Sequence, residues 1–528
     1  MDQQRNLILA FALSMIVMLG WGMLVPEPEV QQEQAQQATV KEAGILQTRE
    51  ALAPASPMAV EAVRPQSDLE ASPPAELLEI SNNYLTLQVD PNGGNLVGAR
   101  LSRYHQEADP GSGDVDVLEH GPAHALRVTF GIANEKVTPK FQLIDRQDGA
   151  QNAQLTLQFT LEDGRIWQRS FNLKPDSYLV TVKDRISGGG GERLYRQVVE
   201  HYPDREASTF YEFTGPVGLL DDQLQEIGYD DLDESSPVLF AAQGGWTGIM
   251  NRYFIAAILG ESDSAYRYYF KGDGLAYQAG QLDDGSKDGD TWQYSANLYI
   301  GPKSITEMSK LGVGLERAVD FGWFTFIAQP LHDLLLYFYR YVPNFGWCII
   351  FIVILIKLLF FWPTKKSYES MAVMRKLQPE MARLKELYGD DRQKMSQEMM
   401  ALYKKHKANP LGGCLPIIIQ IPVFFALYKV LLMSIEMRHA PFLGWIQDLS
   451  AQDPYFVLPL LMGVSMFVQQ RLNPQPPDPI QAKVMQFLPV LFTGLFLFFP
   501  SGLVLYWCVN NILSIIQQWF VLKQQRAL

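Results

Sequence analysis

The sequence has few of the residues that carry catalytic chemistry. It contains three cysteines and seven histidines in 528 residues, and the histidines are scattered from His105 to His439. The patterns G-x-x-x-x-G-K-[ST], H-E-x-x-H and G-x-S-x-G are all absent. These absences argue against a nucleotide-driven, zinc-dependent or serine-hydrolase mechanism. We predict a protein that is not an enzyme and that uses no cofactor or metal.

Cysteine is also absent from the central third of the chain, because Cys348, Cys414 and Cys508 all lie in or beside later apolar runs. Segment 77–312 therefore has no disulfide. It contains short stretches of alternating apolar and polar residues, such as YLTLQVD, LRVTFGI and AQLTLQFTLEDG, separated by turn sequences such as DPNGG. Such alternation is typical of strands with one buried face. We predict a large antiparallel β-sandwich over 77–312.

Long apolar runs are plentiful outside this segment, and about 20 apolar residues suffice to cross a bilayer. We predict six spans, at about 7–25, 344–362, 415–435, 455–472, 484–499 and 502–521. The first is predicted to be an uncleaved anchor within 1–25, with a cleaved signal peptide as the alternative. Residues 26–76 are rich in Gln, Ala, Glu and Pro, a composition that predicts a disordered tether.

The charges predict the orientation of the spans. Segment 365–407 carries 11 basic and 6 acidic residues, whereas 26–320 carries 24 basic and 45 acidic residues. Basic loops remain in the cytoplasm. We therefore predict a multi-pass protein of the inner membrane with both termini and segment 365–407 in the cytoplasm, and with the β-sandwich in the periplasm.

Two further segments have helical periodicity. Segment 313–343 contains apolar residues at helical spacing opposite polar ones, which predicts an amphipathic helix in the membrane interface; a buried helix of the β-sandwich is the alternative. Segment 365–407 shows two methionine-rich stripes separated by GDD, which predicts a helical hairpin. The hairpin is interpreted either as a docking or gating element for nascent protein or as two helices that simply pack on each other.

Lys357 interrupts the apolar run CIIFIVILIKLLFFWP. An ammonium group near the centre of a bilayer helix costs about 2.5–3.5 kcal/mol on insertion scales, so its presence predicts a function. The alternative is snorkelling, because Lys357 lies six residues before Pro363, which is about 9 Å along a helix.

The last apolar run carries a polar stripe at helical spacing, and Gln420 lies early in the third run. The stripe comprises Asn510, Ser514 and Gln517, with Asn511 and Gln518 beside them. Polar stripes need a wet or polar partner, so they are consistent with a hydrated groove; hydrogen bonding between neighbouring helices is the alternative.

The stretches NPLGGCLPIIIQIPVFFALY, LQPEMARLKELYGDDRQKMSQEMMALYKKHKA, APFLGWIQDLSAQDPYFVLPLLMG and FPSGLVLYW resemble the YidC membrane protein insertases of Gram-negative bacteria. The resemblance covers nearly the whole chain apart from the tether. It implies a five-helix core over 344–528, in which Lys357 occupies the place of a groove residue that is arginine in many relatives. It also implies a substrate contact at Trp507, while Val353 stands where relatives have a polar contact residue.

The same resemblance implies an insertase and chaperone for nascent membrane proteins that works through a hydrated groove without nucleotide hydrolysis, alone or with the Sec translocon. The implied partners are nascent membrane proteins, the Sec translocon, the ribosome through the hairpin, and membrane lipids, with no direct DNA binding. Two other classes stay open from the residues alone: a transporter for a small anion, and an envelope enzyme that acts on sugars through the β-sandwich.

Overall fold

The computed structural model describes residues 76–528, apart from short gaps at 122, 134–137, 150–151, 189–190, 206–207, 209–211, 389–390, 407–414, 474–478 and 528. The predicted anchor at 1–25 lies outside the described residues, and so does the tether at 26–76 except for its last residue. The described chain divides between Val319 and Asp320 into two compact units. We call them the β unit and the helical unit and describe each by itself.

The β unit is a sandwich of two antiparallel sheets, as the alternating pattern predicts. The strands are β1 Leu78–Ser81, β2 Leu85–Asp90, β3 Asn95–His105, β4 Asp114–His120, β5 Ala125–Ile132, β6 Gln142–Gly149, β7 Asn152–Thr160, β8 Ile166–Leu173, β9 Leu179–Ser187, β10 Leu194–His201, β11 Gly215–Leu220, β12 Gln223–Glu226, β13 Val238–Gln243, β14 Trp246–Met250, β15 Phe254–Leu259, β16 Ala265–Gly272, β17 Ala276–Asp283, β18 Ser286–Asp288 and β19 Thr291–Pro302. The first sheet has the strand order β1-β2-β3-β4-β5-β10-β17-β16-β13, and the second has the order β12-β11-β14-β15-β19-β9-β8-β7-β6, with β18 paired to β19. Two short helices, α1 Tyr229–Glu234 and α2 Ile305–Ser309, complete the unit.

Strand β2 shows why these sequences form this sandwich. Leu85, Leu87 and Val89 are fully buried, while the residues between them are only partly covered. Successive strand residues point to opposite faces, so alternation places every apolar side chain of β2 in the core. The sequence DPNGG forms a turn, as predicted, and Gly93 and Gly94 in it adopt φ values of 86° and 61° that favour glycine.

The helical unit consists of packed helices, and the longest described connection between them is segment 434–456. They are α3 Thr325–Tyr339, α4 Phe345–Leu359, α5 Phe361–Tyr388, α6 Arg392–Lys405, α7 Leu415–Met433, α8 Val457–Leu472, α9 Pro479–Phe496 and α10 Ser501–Ala527. Helix α10 packs on α8, α4 and α5, and α3 packs on α7 and α4. The last helix therefore has packed neighbours on several sides.

The structure does not confirm six spans. Among the described residues, no single helix has both the length and the apolar character to cross a bilayer, whereas α4 and α5 meet that test together as a pair bent by 68°. Shorter apolar helices occupy Ile419–Met433, Val457–Leu472 and Ala482–Phe496. The predicted run at 344–362 is divided at Phe360, because Pro363 in the first turn of α5 cannot continue the hydrogen bonding of α4.

Helices α5 and α6 form a hairpin. Leu377 and Met381 of α5 are buried together with Leu402 of α6, and Met374 and Met399 pack against them. Much of the methionine-rich pattern is thus explained by packing between the two helices. Met371 is an exception, because it is buried in a different cluster with Val521 of α10.

Candidate functional site

The start of α4 is fixed in place by its cap. The Asn344 side chain accepts a hydrogen bond from the Trp347 amide at 3.2 Å, and its amide group donates to the carbonyls of Pro441 and Phe442 at 3.3 and 3.1 Å. Gly346 lies against the Phe442 ring, where a Cβ atom would come within 2.0 Å of Phe442 Cδ2. A capped, closely packed first turn positions the remainder of the helix, which carries Lys357 in its last turn.

Lys357 reaches a hydroxyl group of α10. Its Nζ donates to Ser514 Oγ at 2.7 Å, and Ser514 Oγ donates in turn to the carbonyl of Asn510 at 2.7 Å. Within the described part of the helical unit, Lys357 forms no ion pair with an acidic side chain. As far as the described residues go, the site therefore holds a positive charge in a largely apolar setting, with a single neutral partner for three N–H donors. Such a charge attracts water or an anionic group.

The polar stripe on α10 divides into two faces. Ser514 and Gln517 face the α4–α5 region, where Gln517 Nε2 donates to the Phe361 carbonyl at 3.2 Å. Asn511 and Gln518 face α8 instead: Asn511 Nδ2 donates to Ser465 Oγ at 3.0 Å, and Gln518 Nε2 donates to Asn473 Oδ1 at 2.9 Å. Lys357 and Ser514 are thus brought together, with Asn510 contributing its main-chain carbonyl, while Asn511 is held in a separate contact between two helices.

Trp507 lies on a third side of α10, and Gln420 lies on the neighbouring helix α7. The Trp507 ring packs against Phe424 of α7, with ring centroids 4.8 Å apart, and against Phe496 of α9 at 5.2 Å. Gln420 precedes Phe424 by one turn of the same helix. These residues form an aromatic contact between α7, α9 and α10, and the structure does not join them to Lys357 through a hydrogen bond in the described residues.

Tyr368 belongs to the site although the sequence analysis missed it. Its ring is buried together with Met371 of the same helix and Val521 of α10, the helix that carries Ser514. The signal was present, since Tyr368 lies three residues before Met371 and so extends the apolar stripe of α5 by one turn. In the described chain no group of three or more His, Cys, Asp or Glu residues is placed to hold a metal ion.

Comparisons with known proteins match both units. A family described as "YidC periplasmic domain" matches residues 77–334, and one described as "60Kd inner membrane protein" matches 337–527. The membrane protein insertase YidC of Magnetococcus marinus is 38% identical over 98% of this chain and 99% of its own length. The chain belongs to the YidC family of membrane protein insertases.

A second YidC relative matches nearly the full length of the chain. YidC of Aromatoleum aromaticum is 38% identical over 99% of this chain and 98% of its own length. A solved structure described as an active YidC insertase with its first transmembrane domain resolved is 16% identical, with a TM-score of 0.38, and covers 84% of this chain and 92% of its own. Val353, which by the resemblance replaces a polar contact residue of relatives, is buried.

Proposed function

We propose that this chain inserts newly made proteins into the inner membrane and helps them fold. The polar outer segment of a nascent protein enters a hydrated groove beside Lys357, which shortens the apolar distance that the segment must still cross. The apolar helix of the substrate then leaves sideways into lipid along α7 and α10. Burial of its apolar surface contributes about 25 cal/mol per Å² and drives the step without nucleotide hydrolysis.

The observation that carries this proposal is the pairing of Lys357 with Ser514 alone. An ammonium group has three N–H donors, and the described residues supply one acceptor and no carboxylate. The remaining donors suit the acidic residues of a substrate segment, because attraction between opposite charges is stronger in a medium of low dielectric constant than in water. Asn510, Gln517 and Gln420 are proposed to contribute polar surface to the same groove, and Trp507 to contact the substrate.

The topology is part of the proposal. We infer six spans, with an anchor at 1–25, an interfacial helix within 313–343 and a five-helix core over 344–528. The basic hairpin at 365–407 and both termini lie in the cytoplasm, and the β unit lies in the periplasm, because basic loops are retained inside. The hairpin receives substrates and contacts the ribosome, and the core works alone or beside the Sec translocon in contact with lipid.

Reconstitution tests the proposed function. The purified full chain is placed in liposomes, and a short single-span protein with an acidic outer segment is added. We expect protease-protected, membrane-inserted substrate well above the level in protein-free liposomes, together with weaker dependence on the insertase for a matched substrate whose acidic residues are amides. Equal insertion with and without the chain would overturn the proposal.

A further inference from the structure

Three helices of the helical unit meet at one level. Gln517 Nε2 of α10 donates to the carbonyl of Phe361, the first residue of α5, at 3.2 Å. The next residue, Gln518, donates to the carbonyl of Leu472, the last residue of α8, at 3.3 Å and to Asn473 Oδ1 at 2.9 Å. The start of α5, the end of α8 and positions 517–518 of α10 therefore lie side by side. We call this the end level.

Each of these helices carries, near the end level, an aromatic ring and a cation one turn further along the chain. The cation lies over the ring, with the Lys Nζ or Arg Cζ atom at the following distances from the ring centroid: Lys365 over Trp362 at 5.6 Å, Arg471 over Phe467 at 4.9 Å and Lys523 over Trp519 at 5.3 Å. Such contacts are attractive because the ring face carries partial negative charge. We call these three contacts the aromatic–cation pairs.

The rings of the aromatic–cation pairs lie on the surface of the helical unit. Trp362 is 69% exposed, Trp519 is 56% exposed and Phe467 is 48% exposed. Tryptophan is enriched at the boundary between hydrocarbon and water, and long cationic side chains extend from that boundary towards the polar side. Exposed rings that are each covered by a cation therefore fit a membrane boundary at the end level.

The order of residues in each pair agrees with such a boundary. Helix α8 runs towards the end level and α10 passes through it, and in both helices the ring comes before the cation. In α5, Trp362 directly follows Phe361, and Lys365 is one turn farther along the chain from the apolar helix α4. In every pair the ring is thus nearer to an apolar run and the cation is farther from it.

Two of the cations have no acidic partner in the described part of the chain. Helices α8 and α10 contain no aspartate or glutamate, and among the described residues neither Arg471 nor Lys523 forms an ion pair. Lys365 lies 3.8 Å from Glu369 of its own helix, and pairs between partly exposed side chains contribute little. The end level thus combines exposed rings with positive charge that the described residues leave largely uncompensated.

We propose that the aromatic–cation pairs bind anionic phospholipids at the cytoplasmic boundary of the membrane. This inference rests on the topology given with the proposed function. The phosphodiester oxygens accept hydrogen bonds from the ammonium and guanidinium groups, and the acyl chains cover the rings. Lys357 lies four residues before Phe361, about 6 Å to the apolar side of the end level. A substrate segment thus passes these headgroups before it meets Lys357.

Lipid retention tests the proposal. The full chain, purified in a non-ionic detergent, is incubated with equal amounts of phosphatidylglycerol and phosphatidylcholine that have the same acyl chains, and the bound lipids are counted by native mass spectrometry. We expect a preference for phosphatidylglycerol of at least about tenfold, because each cation near an anionic headgroup contributes a factor of about five. A parent chain without this preference would overturn the inference.

Inorganic phosphate separates a lipid site from a site for free anions. Added at constant ionic strength, it should leave the bound phosphatidylglycerol in place, because a free anion offers no acyl chain to the rings. Displacement of the lipid by inorganic phosphate at equal concentration would assign the cations to free anions and contradict a lipid site.

Charge removal locates the site. Arg471→Gln with Lys523→Gln should lower the preference for phosphatidylglycerol at least about fivefold, whereas Arg471→Lys with Lys523→Arg should keep it. Lys394→Gln is the matched control, because Lys394 Nζ also lies over a ring, 5.0 Å from the centroid of Tyr388, but in the hairpin at the far end of α5. It should leave the preference unchanged. Equal losses in the double glutamine variant and in Lys394→Gln would show that the preference does not depend on the aromatic–cation pairs.

The two proposals fail differently. A chain that selects phosphatidylglycerol through Arg471 and Lys523 but never inserts protein contradicts the proposed function and leaves the lipid site intact. A chain that inserts the acidic test protein normally but binds the two lipids equally contradicts the lipid site alone.

Discussion

The two units hold a positively charged side chain in different ways, one fully buried and the other partly buried. Arg169 of the β unit is fully buried, and its Nε donates to Asp184 Oδ1 at 2.7 Å. Its guanidinium also bonds to the carbonyls of Gly93 and Gly94 and lies 4.7 to 5.3 Å from the centroids of three aromatic rings. Among the described residues, Lys357 of the helical unit has one hydroxyl partner. The arginine is compensated and holds a fold together, whereas we propose that the remaining donors of the lysine bind a substrate.

The most destructive test of this contrast removes the partner of the compensated charge. Asp184→Asn leaves Arg169 buried without a counter-charge, which typically costs about 3–5 kcal/mol. We expect a large fall in the free energy of unfolding of the β unit, measured by denaturant titration of the full chain in detergent. Asp148→Asn is the control, because Asp148 is exposed and its pair with Arg146 should contribute less than about 1 kcal/mol.

A double variant sharpens the same prediction. Arg169→Met with Asp184→Leu replaces the pair by apolar groups, and such replacements are often neutral or stabilising. It should recover most of the stability lost in Asp184→Asn. Equal stability losses in Asp184→Asn and Asp148→Asn would show that Arg169 does not depend on Asp184.

Substitutions of Lys357, the uncompensated charge, should change insertion of substrate more than they change the stability of the helical unit. Lys357→Glu is expected to reduce insertion of an acidic substrate at least about tenfold, equivalent to ~1.4 kcal/mol, and to affect a matched neutral substrate much less. Lys357→Arg should retain insertion because it keeps the charge. Insertion of paired substrates at matched insertase levels is the measurement. Equal defects for both substrates would remove Lys357 from recognition and support snorkelling.

A third test titrates a partly exposed charge of the β unit. His124 Nε2 lies 3.0 Å from Glu200 Oε1, and its Nδ1 contacts Glu119. The hydrogen bond to Glu200 is the main cause that raises the pKa of His124 from 6.5 to about 9. Because the folded pKa is raised, the stabilisation is complete below pH 6.5 and is lost as the pH rises through about 9.

We therefore expect the thermal midpoint of the β unit to decline between pH 7 and pH 10 more steeply in the parent chain than in His124→Asn. The measurement is a series of melting curves at constant ionic strength. Parallel pH profiles for the two chains would contradict a stabilising charged form of His124.

The smallest effect is expected from removing the β unit itself. Deleting 81–301 should leave insertion within about threefold of the full chain, because the charged site lies wholly in the helical unit. The assay is insertion of the acidic test substrate, normalised to the amount of stably made protein. Complete loss in a variant that accumulates normally would show that the β unit takes part in insertion.

Sequence periodicity predicted the strands because alternation and burial follow the same two-residue repeat. The same periodicity places Arg169 and Asp184 at inward positions, although their buried ion pair was not predicted from the sequence. Arg169 falls between Trp167 and Phe171 on the inward face of β8, and the two charged residues are direct register partners. An arginine and an aspartate at inward positions of neighbouring strands are a readable signal of a buried pair.

The candidate site was predictable only in part. Lys357 and Ser514 could be found because each interrupts an apolar run, and the structure joins them. The division of the stripe on α10 could not be found, because spacing alone does not tell which neighbouring helix lies on each side. The end of α4 at Leu359 was likewise hidden, since Pro363 permits either a kinked or a broken helix.

The polar side chains on two faces of α10 fix the rotation of this helix about its own axis. Successive residues on a helix are about 100° apart, so turning α10 by one position would carry Asn511 towards the place of Asn510 and bring Gln518 to that of Gln517. The bonds from Asn511 to Ser465 and from Gln518 to Asn473 resist that rotation. Substitutions meant to change the surroundings of Lys357 should therefore be made at positions 510, 514 and 517. Asn511 and Gln518 should be kept, because their bonds fix the rotation of the helix about its axis.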